Sequence, residues 1–448
     1  TQAGGGGIYW YRGTTLDSGA GKIHIYGTAN GAGSTTASTF VSGIELQGVS
    51  VTDATRAMKI VSGSSATDAI VIVGDSSATT GMSAPGISTI SWVNLTGGGP
   101  RIVIANTSTG GVTVTGRGGS TPRGDLTDLI GDGLELNGTA VLAKSGQITL
   151  NGDTAGGNST NAYGFTLNHT TYSLSGVTYG AVSYIGSQPS LTLNSVDMST
   201  SSANVVINAD SFLFGSSYAN NINTSGTIKI APAVNGVAQT SYDRAGTTAN
   251  LAIASTATGL TLGASGNTAD LTIPSAYTIA GDIKVYAGAL TNSAALTSSS
   301  GTIAETASTI TNSAALTTTG KDITINADQA TVGATLTAGG NTSGIVTFAP
   351  KTTGKNVDLG AADSSTLLGL TNTELGFVTA KTLRVGNSTT AANINVSAAI
   401  NIASAKVANL ALRGTGNVTA TGAGAITAAN LGIAVGGTIS LGGSNSVN

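Results

Sequence analysis

The string TNSAALT at Thr291–Thr297 returns unchanged at Thr311–Thr317, 20 residues further along the chain. A fixed period of about 20 residues is typical of a repeat architecture, in which each unit packs only against its neighbours. The apolar positions around the string keep this spacing in three successive repeats: Ile283, Ile303 and Ile323; Leu290, Ile310 and Ala330; Leu296, Leu316 and Leu336.

The apolar residues of each repeat come in alternating pairs, such as Ile323/Ile325 and Leu431/Ile433. Alternation with period two is typical of a β-strand, whose successive side chains point to opposite faces. Gly, Asn, Asp, Ser and Thr separate the pairs and favour turns. Roughly three short strands and their turns fit into about 20 residues. We therefore predict an all-β fold, a right-handed parallel β-helix with about 20 residues per coil.

A second register near the C-terminus, with a period of 21, relates Leu410, Leu412 and Val418 to Leu431, Ile433 and Ile439. Helical repeats do not fit either register, because they need about 30 residues or more per unit and abundant helix formers. The whole chain contains only four Glu residues.

Composition narrows the classes of function. Among 448 residues there are 65 Gly, and only 9% are charged, against about 25% in ordinary globular proteins. The formal net charge of -3, without basic runs, argues against nucleic-acid binding. The absence of Cys removes disulfides, thiol catalysis and Cys-containing zinc sites. No apolar run approaches about 18 residues, so we predict no membrane-spanning helix.

We divide the chain into two halves. Residues 1–245 carry more aromatic residues and longer insertions between strand pairs, such as Gly116–Gly133, whereas residues 246–448 are more strictly periodic. Terminal coils of a solenoid need protection of their strand edges. The aromatic string at Tyr9–Tyr11 favours an N-terminal cap, a subunit contact or a sugar-stacking platform. At the other end we expect the sheet edge to continue into more coils or another chain.

Strings in which a strand is followed by Asn recur along the chain, for example LELNGT at Leu134–Thr139, GQITLNG at Gly146–Gly152 and LTLN at Leu191–Asn194. In a background rich in Ser, Thr, Ala and Gly, they resemble the repeat region of filamentous haemagglutinin-like exoproteins, the adhesins of bacterial two-partner secretion. The resemblance covers roughly residues 90–448. It implies a right-handed parallel β-helix exported to the cell surface. That family's secretion domain has no recognisable counterpart here, which favours an internal or processed fragment.

A short motif in the insertion, Arg123-Gly124-Asp125 followed by Leu126 and Leu129, is similar to integrin ligands. In such ligands the Asp completes a metal site on the receptor and the Arg meets an acidic pocket. A Gly-rich chain also produces the tripeptide by chance. A receptor-binding site formed by these five residues and a plain surface loop both stay open.

The same insertion carries the best argument for an enzyme, since Asp125, Asp128 and Asp132 lie close to Glu135. Glycoside hydrolysis commonly needs two carboxylates at a defined separation. On a β-helix we expect such a pair from neighbouring coils, and Asp132 and Asp153 lie one period of the second register apart. Turn and surface carboxylates are the competing interpretation.

Other side chains give weaker signals. Asp282 and Asp322 lie two periods apart, so they do not come from neighbouring coils. Alternation in the strand around His24 points this side chain outward, and His169 has no His or Cys nearby. We therefore predict no metal site and no cofactor.

These features predict a structural and adhesive exoprotein, a rigid β-helical rod at the bacterial surface or in extracellular matrix such as biofilm. Expected partners are a host or neighbouring cell surface, or a polysaccharide, with copies of the chain assembling end to end into filaments. The alternative is a β-helical polysaccharide lyase or hydrolase. A third hypothesis, an ice- or mineral-binding face, rests on an outward Thr ladder at three repeats: Thr297, Thr317 and Thr337.

Overall fold

The computed structural model describes residues 7–11, 13–30, 42–48, 57–79, 86–91, 102–118, 133–137, 139–154, 172–174, 177–179, 191–194, 196–209, 212–214, 220–231, 251–268 and 270–447. The chain forms two compact units, Thr1–Ala257 and Thr258–Asn448. Each unit is described by itself.

Unit 1 is built from short strands. They are β1 (Ile8–Tyr11), β2 (Thr15–Asp17), β3 (Ile23–Thr28), β4 (Ile44–Gly48), β5 (Met58–Ser62), β6 (Ile70–Asp75), β7 (Ile87–Ser91), β8 (Ile102–Asn106), β9 (Val112–Gly118), β10 (Leu134–Asn137), β11 (Thr139–Ala143), β12 (Ile148–Thr154), β13 (Tyr172–Leu174), β14 (Val177–Tyr179), β15 (Leu191–Asn194), β16 (Asp197–Ser199), β17 (Val205–Ala209), β18 (Phe212–Phe214), β19 (Asn220–Asn223), β20 (Thr227–Ala231) and β21 (Leu251–Ile253).

Three parallel sheets form unit 1, and each coil adds one strand to each sheet. Sheet 1 has the order β1-β4-β7-β10-β15-β18, and sheet 2 the order β2-β5-β8-β11-β16-β19-β21. Sheet 3 has the order β3-β6-β9-β12-β17-β20. Strands β13 and β14 form a separate antiparallel hairpin. A sequence that visits three parallel sheets in turn is a parallel β-helix, so the predicted all-β, parallel β-helical fold is confirmed.

The core of unit 1 consists of columns of branched apolar side chains. In sheet 3 the first column contains Ile23, Ile70, Val112, Ile148, Val205 and Ile228, all paired in register and all buried. Burying one such side chain contributes about 1.5–3 kcal/mol. Successive members of the column are unevenly spaced along the chain. The coils of unit 1 are longer than the regular repeat of the second half, because long connections join the strands.

A column of glycines lies at one corner of these coils. Gly27, Gly74 and Gly116 are neighbours in sheet 3. A Cβ on Gly74 would lie 2.1 Å from the carbonyl oxygen of Gly86, and a Cβ on Gly116 would lie 1.8 Å from that of Gly133. The backbone of the next coil passes too close for any side chain, so this corner requires Gly.

Unit 2 is described almost without gaps. Its strands are β22 (Gly259–Leu262), β23 (Leu271–Ile273), β24 (Tyr277–Ile279), β25 (Asp282–Tyr286), β26 (Ala289–Asn292), β27 (Leu296–Ser298), β28 (Ile303–Asn312), β29 (Leu316–Thr318), β30 (Ile323–Val332), β31 (Leu336–Ala338), β32 (Ile345–Ala349), β33 (Lys355–Leu359), β34 (Leu367–Leu370), β35 (Val378–Val385), β36 (Ala391–Val396), β37 (Ala399–Asn401), β38 (Val407–Gly414), β39 (Val418–Ala420), β40 (Ala425–Ala428), β41 (Leu431–Val435), β42 (Ile439–Ser440) and β43 (Ser446–Val447).

One helix, α1 (Asn372–Leu375), and a 3-10 turn at Gly340–Thr342 complete unit 2 as described. The helix is short and depends on its first turn. The Thr371 side chain accepts a hydrogen bond from the Glu374 backbone N–H, and the Glu374 carboxylate accepts one from the Thr371 backbone N–H. This capping box satisfies two N–H groups that a helix of one turn leaves without partners.

The regular repeat found in the sequence governs β25 to β31. Strand β28 pairs with β30 from its first residue to its last without a change of register. The predicted alignments of Ile283 with Ile303, and of Leu316 with Leu336, are register pairs. The second register is also confirmed, since Leu410 pairs with Leu431. Strands β33, β34, β36, β39 and β42 form one further parallel sheet, and β37, β40 and β43 another.

Candidate functional site

Arg123, Gly124, Asp125, Leu126 and Leu129 lie outside the described residues, so receptor binding through them stays a prediction. The same holds for three residues of the other predicted sites, namely Asp128, Asp132 and His169.

Glu135, the remaining carboxylate of the predicted acidic group, belongs to a polar ladder on sheet 1. Ser88 on β7 pairs in register with Glu45 on β4 and with Glu135 on β10. The three residues alternate with the core residues Ile44, Ile87 and Leu134, which places them on the outward face of the sheet. We call Glu45, Ser88 and Glu135 the acidic ladder.

The acidic ladder is shielded from solvent although it faces outward. Glu45 is 8% exposed and Glu135 4%. Ser88 Oγ donates a hydrogen bond of 3.1 Å to Glu135 Oε2. Burial, and then the charge of Glu135, raise the pKa of Glu45 from 4.5 to about 7. The ladder therefore pairs a carboxyl that titrates near neutrality with one that accepts a hydrogen bond, the combination expected of an acid and a base.

Tyr9 extends this face to the first coil. It pairs in register with Glu45, and its hydroxyl donates a hydrogen bond of 2.7 Å to Gln47 Oε1. The Tyr9 ring is largely exposed, whereas Trp10 is half-buried. Tyr9 and Trp10 thus point in opposite directions and do not together form one flat stacking platform.

His24 lies on an exposed patch of sheet 3. Ile23 and Ile25 are buried and His24 is exposed, as the alternation predicts. His24 Nε2 lies 3.4 Å from the Asp68 carboxylate, and Lys22 Nζ lies 2.6 Å from it. The hydrogen bond from Lys22 holds the pKa of Asp68 below its usual value. Tyr26 adds an edge-to-face ring contact with His24 at 6.3 Å.

A polar groove runs along the corner after sheet 2 in unit 1. Its volume is about 520 Å³, and its lining consists mostly of hydroxyl, amide and ammonium side chains: Ala143, Lys144, Ser199, Thr200, Ser201, Asn223, Ser225 and Thr256. Ser225 Oγ donates to the Ser201 carbonyl at 2.7 Å, and Ser201 Oγ donates to the Lys144 carbonyl. The hydroxyls thus tie successive coils together while one cation faces the groove.

Carboxylates of unit 2 accept structural hydrogen bonds from the backbone. Asp282 Oδ1 accepts from the Thr302 backbone N–H at 2.8 Å, and Asp322 Oδ1 accepts from the Ile345 N–H at 2.9 Å. We call such a bond, which an Asp or Asn side-chain oxygen accepts from a backbone N–H of the neighbouring coil, a coil clasp. Further coil clasps join Asp270 to Ala289, Asp328 to Thr352, Asn356 to Asn393, Asn393 to Asn417 and Asn417 to Thr438.

Two buried glutamates were missed by sequence reasoning. Glu45 follows Ile44 in a short strand, and its place two rungs from Glu135, with Ser88 between them, depends on the lengths of two long insertions. Glu305 stands at an inward position between Ile303 and Ala307, and a charged residue at an apolar position of the repeat was the available signal. Residue pattern alone does not show which outward carboxylates are shielded.

Comparisons with known proteins do not identify the chain, since no family model, no curated protein and no solved structure matches it. In the described part of the chain, no group of three or more His, Cys, Asp or Glu residues is arranged to hold a metal ion. The described residues also include no helix with the length and apolar character needed to cross a membrane.

Proposed function

We propose that this protein is a structural and adhesive protein of a bacterial surface or extracellular matrix. Its stacked coils form the support and its polar outer faces make the contacts. The observation that carries the proposal is the use of Asp and Asn as coil clasps throughout unit 2. Residues that an enzyme uses for chemistry here join one coil to the next.

The coil clasps suit a mechanical role. Each clasp adds a side-chain hydrogen bond to the backbone ladder that already joins two coils, and one such bond contributes about 0.5–1.5 kcal/mol, more where the acceptor is charged. Because solenoid stability depends on the interfaces between neighbouring repeats, clasps at successive interfaces strengthen the whole stack. A stack of this kind resists unfolding without a large aromatic core or disulfides.

Contacts with a polysaccharide suit the polar groove of unit 1. Its hydroxyls, the Asn223 amide and Lys144 offer several hydrogen-bonding groups to a sugar. Contacts of this kind are weak one by one and gain strength when many copies act together. We assign the contact role to this groove and to the exposed patch around His24.

We extend the proposal to end-to-end assembly with a second copy of the chain. Ile439 on β42 and Val447 on β43 are 53% and 43% exposed. Their register partners in the preceding coil, Val418 and Ala428, are buried. A further coil stacked in the same register would bury both residues, and a contact of this head-to-tail type need not close into a ring.

Electron microscopy of the purified chain over a concentration series tests assembly. We expect filaments that lengthen with concentration, and shorter ones from Ile439→Lys combined with Val447→Lys. Thr272→Lys combined with Thr278→Lys is the matched control, because both threonines are exposed on strands β23 and β24, away from β42 and β43. Isolated particles at every concentration would contradict assembly and leave the adhesive role, which binding of unlabelled chain to immobilised polysaccharides tests separately.

A second candidate, a polysaccharide hydrolase, is favoured by the acidic ladder alone. Glu45 and Glu135 stand two rungs apart, about 9–10 Å along the sheet, near the upper limit for an inverting pair of carboxyls. Their low exposure counts against a bound sugar. Release of reducing ends from a polysaccharide panel, lost in Glu45→Gln and retained in Asp282→Asn, would place this candidate first.

A further inference from the structure

A carboxyl group lies in the apolar core of unit 2. Glu305 on β28 occupies the inward column between Val285 on β25 and Ile325 on β30, with both of which it pairs in register. It is fully buried, as are Val285 and Ile325. An isolated carboxylate in such a position is strongly unfavourable, and the group avoids the cost by staying neutral.

Asn312 is the hydrogen-bonding partner of Glu305. Its Nδ2 donates to Glu305 Oε2 at 2.7 Å, and Asn312 is itself fully buried. The other two oxygens of the pair, Glu305 Oε1 and Asn312 Oδ1, are buried and have no hydrogen-bond partner among the described residues. Both oxygens are acceptors without a donor, and they belong to two side chains that one hydrogen bond already joins. A proton on Glu305 Oε1 supplies the missing donor.

In the described part of unit 2, no countercharge faces an ionised Glu305. On β25 the exposed Lys284 alternates with Val285 and so points away from the core, and Asp282 is engaged in a coil clasp. Tyr286, also on β25, is half-buried. On β30, Asp328 accepts hydrogen bonds from Thr352. The other packed strands, β26 and β29, carry no titratable residue.

We propose that Glu305 and Asn312 form a proton-sensitive lock in unit 2. With the proton on Oε1, the Glu305 hydroxyl donates to Asn312 Oδ1, and the carboxyl and carboxamide are joined by two hydrogen bonds. Loss of this proton removes one bond, leaves two acceptors opposed and places a bare charge in the core. The coils around β28 are therefore closed in mild acid and loosened towards neutral pH.

The sign of the pH dependence follows from burial, which raises the pKa of Glu305 from 4.5 to about 7 against the opposing effect of the Asn312 bond. Below pH 4.5 the carboxyl is neutral in both the folded and the unfolded chain, so ionisation of Glu305 costs no stability. Between 4.5 and about 7 the unfolded chain alone loses the proton, and stability falls. Above a pH of about 7 the carboxyl is ionised in both states, so the loss of stability no longer changes with pH. The opening equilibrium changes by roughly two orders of magnitude over this range.

Glu305→Gln is the variant that tests the lock, because its amide reproduces both hydrogen bonds and does not ionise. Hydrogen exchange of peptides covering 283–332, measured at pH 5 and pH 8 with correction for intrinsic exchange, reports opening of these coils. We expect the wild-type coils to open roughly 100-fold more readily at pH 8, and the Gln variant to differ little between the two values. Equal pH dependence in both proteins would overturn the proposal.

Two further variants separate the lock from general effects of substitution. Asp282→Asn removes a half-buried carboxylate from the same unit and is expected to keep the wild-type dependence. Glu305→Val with Asn312→Val copies the residues found in register, Val285 and Val332. This double variant is expected to remain closed at both pH values, and a wild-type pH response in it would also overturn the proposal.

Discussion

Units 1 and 2 build the same kind of coil with different lengths of chain. In unit 1 the register partners Val112, Ile148 and Val205 are unevenly spaced in the sequence, whereas the partners of unit 2 from Ile283 to Ile323 follow one constant period. The stacked strands tolerate both because stability depends only weakly on loop length. The polar features described in unit 1 lie on its strands and on the corners after sheet 2, whereas in unit 2 coil clasps recur from coil to coil.

The two units also bury a glutamate in different ways. Glu45 in unit 1 lies on the outward face near a second carboxylate, while Glu305 in unit 2 lies in the core beside an amide. Burial is the main cause of the raised pKa in both, about 7 in each case. Only Glu45 responds to a neighbouring charge, so substitution of neighbours should affect the two residues differently.

A substitution in the glycine corner of unit 1 gives the largest expected effect on stability. Gly116→Ala would place a Cβ 1.8 Å from the Gly133 carbonyl oxygen, so the backbone of the coil must move. We expect a loss of about 3 kcal/mol in the free energy of unfolding, measured by denaturant titration. Gly432→Ala is the control, since a Cβ there meets nothing within 4 Å. Equal stability of the two variants would show that the corner of unit 1 can adjust.

Substitution of Glu45 in the acidic ladder gives the second-largest expected effect on stability. The folded-state pKa of Glu45 is raised to about 7, so wild-type stability should fall as pH rises from 4.5 to about 7. Glu45→Gln removes this dependence, and we expect it to stabilise unit 1 by about 1–3 kcal/mol at pH 8. Thermal unfolding at pH 5 and pH 8 measures the difference.

Glu135→Gln distinguishes the two causes of the Glu45 shift. Removing the charge of Glu135 should lower the pKa of Glu45 without returning it to 4.5, because burial remains. NMR titration of the side-chain carboxyl carbon would report this change. An unchanged pKa would show that Glu135 has no electrostatic influence on Glu45, and would weaken the case for an acid–base pair.

A single coil clasp is expected to contribute less to the free energy of unfolding than the glycine corner or the substitution of Glu45. Asp282→Ala removes the acceptor for the Thr302 N–H and hydroxyl, which lie 2.8 and 3.0 Å from Asp282 Oδ1. We expect a loss of about 1 kcal/mol in unfolding free energy. Lys284→Ala, an exposed position on the same strand, should change stability by less than about 0.5 kcal/mol. No difference between these variants would contradict the role given to the clasps.

Removal of the ion pair between Lys22 and Asp68 in unit 1 gives the smallest expected effect on stability. Lys22→Met removes the hydrogen bond that lowers the pKa of Asp68, so that pKa should rise towards its ordinary value. Because both side chains are exposed, we expect no measurable change in the thermal midpoint. A marked drop would indicate that the patch around His24 supports the first coils.

Sequence patterns predicted the strands of unit 2 best, because its insertions are short. The string TNSAALT and its neighbours defined the register that β26 and β28 adopt. In unit 1 the same reasoning found strands, such as Leu134–Asn137, but not their partners. The backbone groups of a strand can pair with any neighbouring strand. Which strand becomes the partner therefore depends on the number of residues in the preceding coil.

The sequence by itself determined that the chain forms stacked parallel strands, since alternation of side chains and a fixed period are local properties. Only the tertiary structure decided which polar residues meet. It placed Glu45 beside Ser88, shielded both, and put Glu305 and Asn312 together inside the core. Register across long connections and depth below the surface result from packing between coils, and neither can be read from neighbours along the chain.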